Sequence, residues 1–214
     1  MIKEFESKMP QLEEEVLRLW VKSGALSFNG GGVDQMVLER TFNVVKCARE
    51  IGPSVCSLRE NDGRSGFMLA LTKKDPKYPI LFVQIGEINN SDPEYGTDGK
   101  RGKYTDLVNL KVLSLKNNPT FISSSQNLSL PKDERLYSNM LQEIPGGALV
   151  VNNEWIISVS GLATPEIDTA VALGIAVGAK FISIDSAENM AKDPRINCKI
   201  FMEKQDTFIV PVLQ

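Results

Sequence analysis

Between residues 11 and 22, Leu12, Val16, Leu19 and Trp20 recur at helical spacing while Glu13, Glu14 and Glu15 fall off that stripe. The pattern predicts an amphipathic helix that must dock on another surface. The run Phe28-Asn-Gly-Gly-Gly-Val33 breaks it, because three consecutive glycines disfavour helix and strand alike, and it reads as a tether. Asp34 is placed to cap a second helix over 35–50, with Val37, Thr41, Val44, Val45 and Ala48 on one face. Gly52-Pro53 is expected to end it.

Two short strands are predicted over 54–59 and 66–72, around the turn-rich Glu60-Asn-Asp-Gly-Arg-Ser65, and a third over 78–85. Residues 89–103 are polar, with three glycines and a proline, and read as a surface loop: an ordinary insertion or a lid. Helical spacing returns over 104–116 through Leu107, Leu110 and Ser114, until Asn117-Asn118-Pro119 stops it. A further helix is expected over 133–141. The apolar runs 148–151 and 154–160 flank Asn152-Asn153, a pair that tolerates positive φ, so they predict a hairpin with a two-residue turn. Thr164-Pro165-Glu166 combines a capping hydroxyl, a proline at the first helical position and an acid in the first turn, which starts a helix running to about Lys180. Residues 207–212 read as a final strand whose Pro211 favours a sheet edge. Grouped strands with helices before, between and after them define an α+β class with a largely antiparallel sheet covered by helices, in one domain with extensions.

Composition narrows the function classes. A net charge of -3 without any Lys/Arg-rich stretch argues against nucleic acid or an anionic lipid surface as partner. Lys3, Glu4 and Glu6 precede any apolar run, which is wrong for a signal peptide, and no apolar run approaches a membrane span, so a cytoplasmic location is expected. The histidine count is zero, which excludes His-dependent triads, His metal sites and a His axial ligand to haem iron. Cys47, Cys56 and Cys198 share no metal-ligand spacing and read as core thiols.

The candidate chemistry is sparse. Lys111 stands beside Leu110 and four residues after Leu107, at the border of an apolar stripe. Its ammonium can snorkel to water, pair with Asp106, Glu166 or Asp168, or meet a ligand carboxylate or phosphate. Pro145-Gly146-Gly147 can bring backbone N–H groups close to an anion or form a plain turn. Ala170, Gly174 and Gly178 line one face of their helix, for close packing on the sheet or a partner subunit, or to admit a flat ligand. Ser158 and Ser160 lack the neighbours that activate a nucleophile, and the glycines of Gly63 to Gly66 lack the spacing of a phosphate-binding P-loop.

Pro145-Gly-Gly147, the hairpin ending Ser158-Val-Ser-Gly161, and Thr164-Pro-Glu-Ile-Asp168 with Ala170 and Ala172 resemble the C-terminal half of the GlcG/HbpS-like (haem-degrading-domain) family, which reads PGG, GxIGVSG and TPEQDxxxA. Upstream, Tyr104-Thr-Asp-Leu-Val-Asn-Leu-Lys111 and Asn118-Pro-Thr120 resemble a family helix and the turn after it. Around Asp62-Gly63 the glycines are not adjacent as they are in the family's hairpin. The resemblance covers about 35–181, with an insertion about 75–103, a helical extension and tether over 1–34, and a C-terminal extension over 182–214. It implies a profilin-like antiparallel sheet flanked by helices, an α-β sandwich, and a tendency to form homo-oligomers. It also implies Lys111, Gly146, Gly147, Gly161, Glu166 and Asp168 as ligand-binding candidates and haem or another tetrapyrrole as a ligand; because this chain departs from its haem-binding relatives in having no histidine, either Tyr, Met, Cys or Lys takes that place on iron or the pocket holds another flat or anionic molecule. Three function classes follow: a non-catalytic small-molecule-binding oligomer, a ligand-free structural or adaptor oligomer, and an enzyme using Lys111 with Glu166 or Asp168.

Overall fold

Phe67 to Leu71 is apolar without interruption, and such a run is stable as a strand only where both faces of its sheet are covered. The computed structural model, which describes residues 35–75, 78, 80–89, 91, 93–136 and 144–213, meets that requirement. Strands β1 (Gly66–Lys73), β2 (Leu81–Gly86), β3 (Ala148–Val151) and β4 (Trp155–Ser160) form an open sheet in the order β2-β1-β4-β3. Every neighbouring pair is antiparallel. Among the described residues six α-helices surround it: α1 (Gln35–Cys56), α2 (Gly99–Asn117), α3 (Pro165–Gly178), α4 (Ile184–Lys192), α5 (Lys199–Glu203) and α6 (Gln205–Leu213).

Strand alternation sorts the side chains between two cores. Phe67, Leu69 and Leu71 join Leu149, Val151, Trp155, Ile157 and Val159 against α1 and α3, and α6 packs on those two helices in turn. Met68, Ala70, Ala148, Val150 and Ile156 face the other way, onto Val108, Val112 and Leu115 of α2. The protein is therefore α+β, with a four-stranded antiparallel sheet between helices.

Several expected elements are present. The hairpin pairs Val151 with Trp155, and Asn152 and Asn153 both take positive φ, at 51° and 56°. The loop holds three residues rather than two, because Glu154 bonds back to Val151 at 3.2 Å before pairing resumes. At the start of α3, Thr164 Oγ1 accepts from Ile167 N at 3.2 Å with Pro165 at the first helical position.

Other expectations are corrected. Gly52-Pro53 does not stop α1, which runs through Pro53 to Cys56 and occupies much of the span expected as a strand over 54–59. Proline there removes only one bond, one turn from the helix end. The polar stretch over 89–103 is not a plain loop: a 3-10 turn spans Pro93–Asp98, and α2 begins at Gly99. Residues 207–212 are helical, not a strand, because this apolar segment lies in a groove of helices. In the expected helix over 133–141, residues 133 and 134 belong to a turn over 132–134, residues 135 and 136 are irregular, and the remainder lies outside the described residues, as do the helix over 11–22, the glycine tether and the Asp34 cap.

At Gly174 and Gly178 the small face of α3 packs on α6 of the same chain. A Cβ at Gly174 would lie 2.5 Å from the carbonyl oxygen of Phe208, and one at Gly178 would lie 2.5 Å from Cβ of Val212 and 2.7 Å from Sγ of Cys47. Phe201 and Phe208 stack with ring centroids 6.0 Å apart, so residues beyond 182 are built into the principal core.

Candidate functional site: a buried lysine–aspartate pair

On α2 the buried positions beyond Gly99 are Leu107, Val108, Lys111, Val112, Ser114 and Leu115, which places Lys111 in the middle of the stripe that meets the sheet. Its side chain is fully buried, so the snorkelling alternative is excluded. An ammonium in such a place requires acceptors from the protein. Nζ donates to the carbonyl oxygen of Val159 at 2.7 Å and to Oδ2 of Asp168 at 3.1 Å.

Asp168 is held from its own side. It lies in the first turn of α3, where the Thr164 cap fixes the helix start and the helix dipole favours a carboxylate. Its Oδ1 accepts from Leu162 N at 3.2 Å, in the bend that follows β4. Burial pulls the Lys111 ammonium below its ordinary range, opposed by the charge and hydrogen bond of Asp168. Burial likewise pushes the Asp168 carboxyl up, opposed first by Lys111, then by the Leu162 hydrogen bond and the more distant charge of Arg64. The low-dielectric interior works against ionisation of both partners, and their contact offsets it.

Gly147 closes the pair. Its φ is +113°, and a Cβ there would lie 2.7 Å from each of Lys111 Nζ, Asp168 Cβ and Val159 O. Gly161 has φ +124°, and a Cβ would approach Cα of Phe67 at 3.1 Å and Cδ2 of Tyr104 at 3.2 Å. Gly146 is less constrained, since its Cβ would sit 3.2 Å from Thr169 Oγ1.

Of the six residues implied by the family resemblance, Lys111, Gly147 and Asp168 thus come into one contact, with Gly161 and Gly146 adjoining it. Glu166 faces elsewhere. Its Oε1 accepts from Ile200 N at 2.9 Å, satisfying an N-terminal amide of α5 that has no capping side chain of its own. Ser158 is committed too, donating to the carbonyl oxygen of Val108 at 3.2 Å and tying β4 to α2.

Two further residues belong to the constellation and were read from sequence only as part of a turn. Arg64, half-buried, donates from Nη1 to Tyr104 Oη at 3.1 Å and to the carbonyl oxygens of Gly161 at 3.1 Å and Leu162 at 2.9 Å. Asn61, fully buried, donates to Arg64 O at 2.8 Å and accepts from Ala163 N at 3.1 Å. The signal was a polar amide and a cation in the short turn before β1, but their partners lie about a hundred residues onward.

These donors do not fit an axial ligand to haem iron. Lys111 is bonded to protein on the inside of the fold, and Tyr104 is engaged by Arg64. The Cys198 and Cys47 thiols are pushed by burial up to about 12 and about 11, far from the thiolate that iron prefers. Among the described residues there is no group of three or more His, Cys, Asp or Glu arranged to hold a metal, and no helix long and apolar enough to cross a membrane.

Compared with protein-family models, curated proteins and solved structures, the chain matches none. Fold and site together define an α+β sheet protein joined at its centre by a buried lysine–aspartate pair.

Proposed function

We propose that this chain is a GlcG/HbpS-like protein with a profilin-like sandwich, acting in the cytoplasm as a homo-oligomer that binds a small anionic or flat molecule without transforming it. The observation that carries this reading is convergence: Lys111, Gly147 and Asp168 come from separate segments that each resemble a family motif, and they meet at one ion pair. The non-catalytic part rests on how fully the reactive groups are used. Lys111 and Asp168 are buried against each other with almost no access to solvent, Glu166 accepts from Ile200 N, and Ser158 donates to Val108 O with no base beside it. The ligand would meet the solvent-facing side of this constellation, where Arg64 supplies a half-buried cation. Ligand binding is tested by native mass spectrometry with haem and, separately, with iron-free protoporphyrin. A stoichiometric added mass that is lost in Arg64→Ala supports it; a protein that stays at its sequence mass with both probes overturns it.

A second reading, a structural homo-oligomer without ligand, draws on the complete burial of Lys111, which a core-fastening role explains without any ligand. The same spectra separate the two, because they report subunit number and bound mass together.

A further inference from the structure

The two edges of the sheet are treated differently. Glu87 N donates to Ser65 O at 3.1 Å, which sets the phase of the β1–β2 ladder: Leu81, Val83 and Ile85 turn their backbone groups toward β1, and Phe82 and Gln84 turn theirs outward. The bond from Lys74 N to Glu154 O agrees, because it assigns the alternate β1 residues Met68, Ala70 and Thr72 to β4. At the β3 edge the corresponding outward amides are both satisfied: Val150 N donates to Ile122 O at 2.9 Å and Ala148 N to Ser124 Oγ at 3.2 Å. At the β2 edge no described residue bonds the outward amides of Phe82 and Gln84.

Nor does β2 carry the features that keep an edge single. Its sequence, Leu-Phe-Val-Gln-Ile-Gly, holds no charge and no proline, and its register with β1 runs from Leu81 to Gly86 without a bulge. Gln84 is exposed, and Phe82 and Val83 are half-buried. We infer that the β2 edge is the homo-oligomer interface, where β2 pairs antiparallel with β2 of a second copy to make one continuous eight-stranded sheet. A second copy is the occupant the strand itself fits. A two-fold axis through Val83 sets Phe82 opposite Gln84 of the other copy and the reverse, so each outward residue meets a twin with its backbone groups also facing out. Symmetric pairing also brings like charges close together, and this strand has none. The inference rests on the oligomer part of the proposed function and not on its ligand.

The test combines native mass spectrometry of the full chain with amide hydrogen exchange. The wild-type protein is expected as a dimer or an even multiple of its 23.6 kDa subunit. Gln84→Pro removes an amide that points away from β1, so it spares the ladder; it and Gln84→Lys should each halve the mass while the far-UV dichroism is unchanged. In the wild type, exchange at Phe82 and Gln84 should slow as concentration rises. A wild-type monomer at every concentration overturns the inference, as does a folded Gln84 variant that keeps its oligomer, or exchange at Phe82 and Gln84 that ignores concentration. Because the hydrogen-exchange arm needs no variant, it decides the matter even if both substitutions prevent folding. A dimer that dissociates in Gln84→Lys but takes up neither haem nor protoporphyrin leaves this interface standing while the ligand reading fails.

Discussion

Lys111 Nζ and Asp168 Oδ2 lie 3.1 Å apart although 57 positions separate them in the chain, and neither side chain has appreciable access to solvent. Breaking such a pair from one side leaves a buried charge without a partner, typically at about 3–5 kcal/mol. Lys111→Met should lose stability on that scale in urea unfolding, and the double variant Lys111→Met/Asp168→Leu should recover a large part of it. A double variant no more stable than Lys111→Met would mean that the pair does not account for the loss.

The Lys111→Met deficit should also depend on pH. Asp168 has a folded pKa already above its 3.8 reference, and loss of the lysine removes the largest influence lowering it. With the folded pKa raised, the folded state holds the proton more tightly than the unfolded one. The variant is therefore least impaired below about pH 3.8 and loses stability relative to wild type as pH rises through the folded pKa. Unfolding of both proteins across that range checks the sign; a deficit that is flat or grows on acidification contradicts it.

Gly147→Ala places a methyl 2.7 Å from both partners of the pair at a φ of +113°, so strain and crowding act together. A loss of about 2–4 kcal/mol is expected. Gly63→Ala is the control, because φ is +67° there but nothing lies within 4 Å of the new Cβ, and about 1 kcal/mol should be lost. Similar losses at the two sites in thermal or urea unfolding would show that backbone conformation alone matters at Gly147.

Gly174→Ala improves helix propensity by about 1 kcal/mol, which by itself would stabilise α3. Its Cβ, however, would stand 2.5 Å from a backbone oxygen of Phe208, an atom that cannot rotate away. Crowding of this kind costs about 1–3 kcal/mol, so the net effect should be a loss, with α6 displaced. Unfolding curves give the sign, and hydrogen exchange over 205–213 locates the change.

The three cysteines should differ in reactivity. With thiols pushed up to about 12 and about 11, Cys198 and Cys47 hold roughly one part in ten thousand and one in a thousand as thiolate at pH 8. Cys56 is only half-buried. Thiol titration of the native protein should find one reacting group, Cys56, and three after denaturation; a fast native reaction at Cys47 or Cys198 would contradict the burial.

Where a structural cue is local, the sequence was legible. Thr164-Pro165 marked the start of α3, and Asn152-Asn153 marked the β3–β4 turn, because each cue acts within four residues. The segment now seen as α6 was not readable: Phe208, Ile209 and Val212 form a short apolar run, whose period cannot distinguish a buried helix from a strand. At the site, the motifs marked Lys111, Gly147 and Asp168, but the choice of Asp168 over Asp106 or Glu166 as the partner is a tertiary fact. Arg64 and Asn61 were missed for the same reason, since the groups that use them lie far along the chain.

The order β2-β1-β4-β3 also bears on how quickly the molecule assembles. Strands β1 and β2 make one local ribbon, β3 and β4 another, and only the β1–β4 ladder joins segments remote in the chain. Isolated ribbons close in about 1–10 μs, whereas a seam between remote segments must first close the long intervening loop. The slow event is thus expected to be the meeting of the two ribbons along Met68–Lys73 and Trp155–Ser160. Lys111, which reaches both Val159 and Asp168, fastens α2 across the second ribbon once that seam has formed.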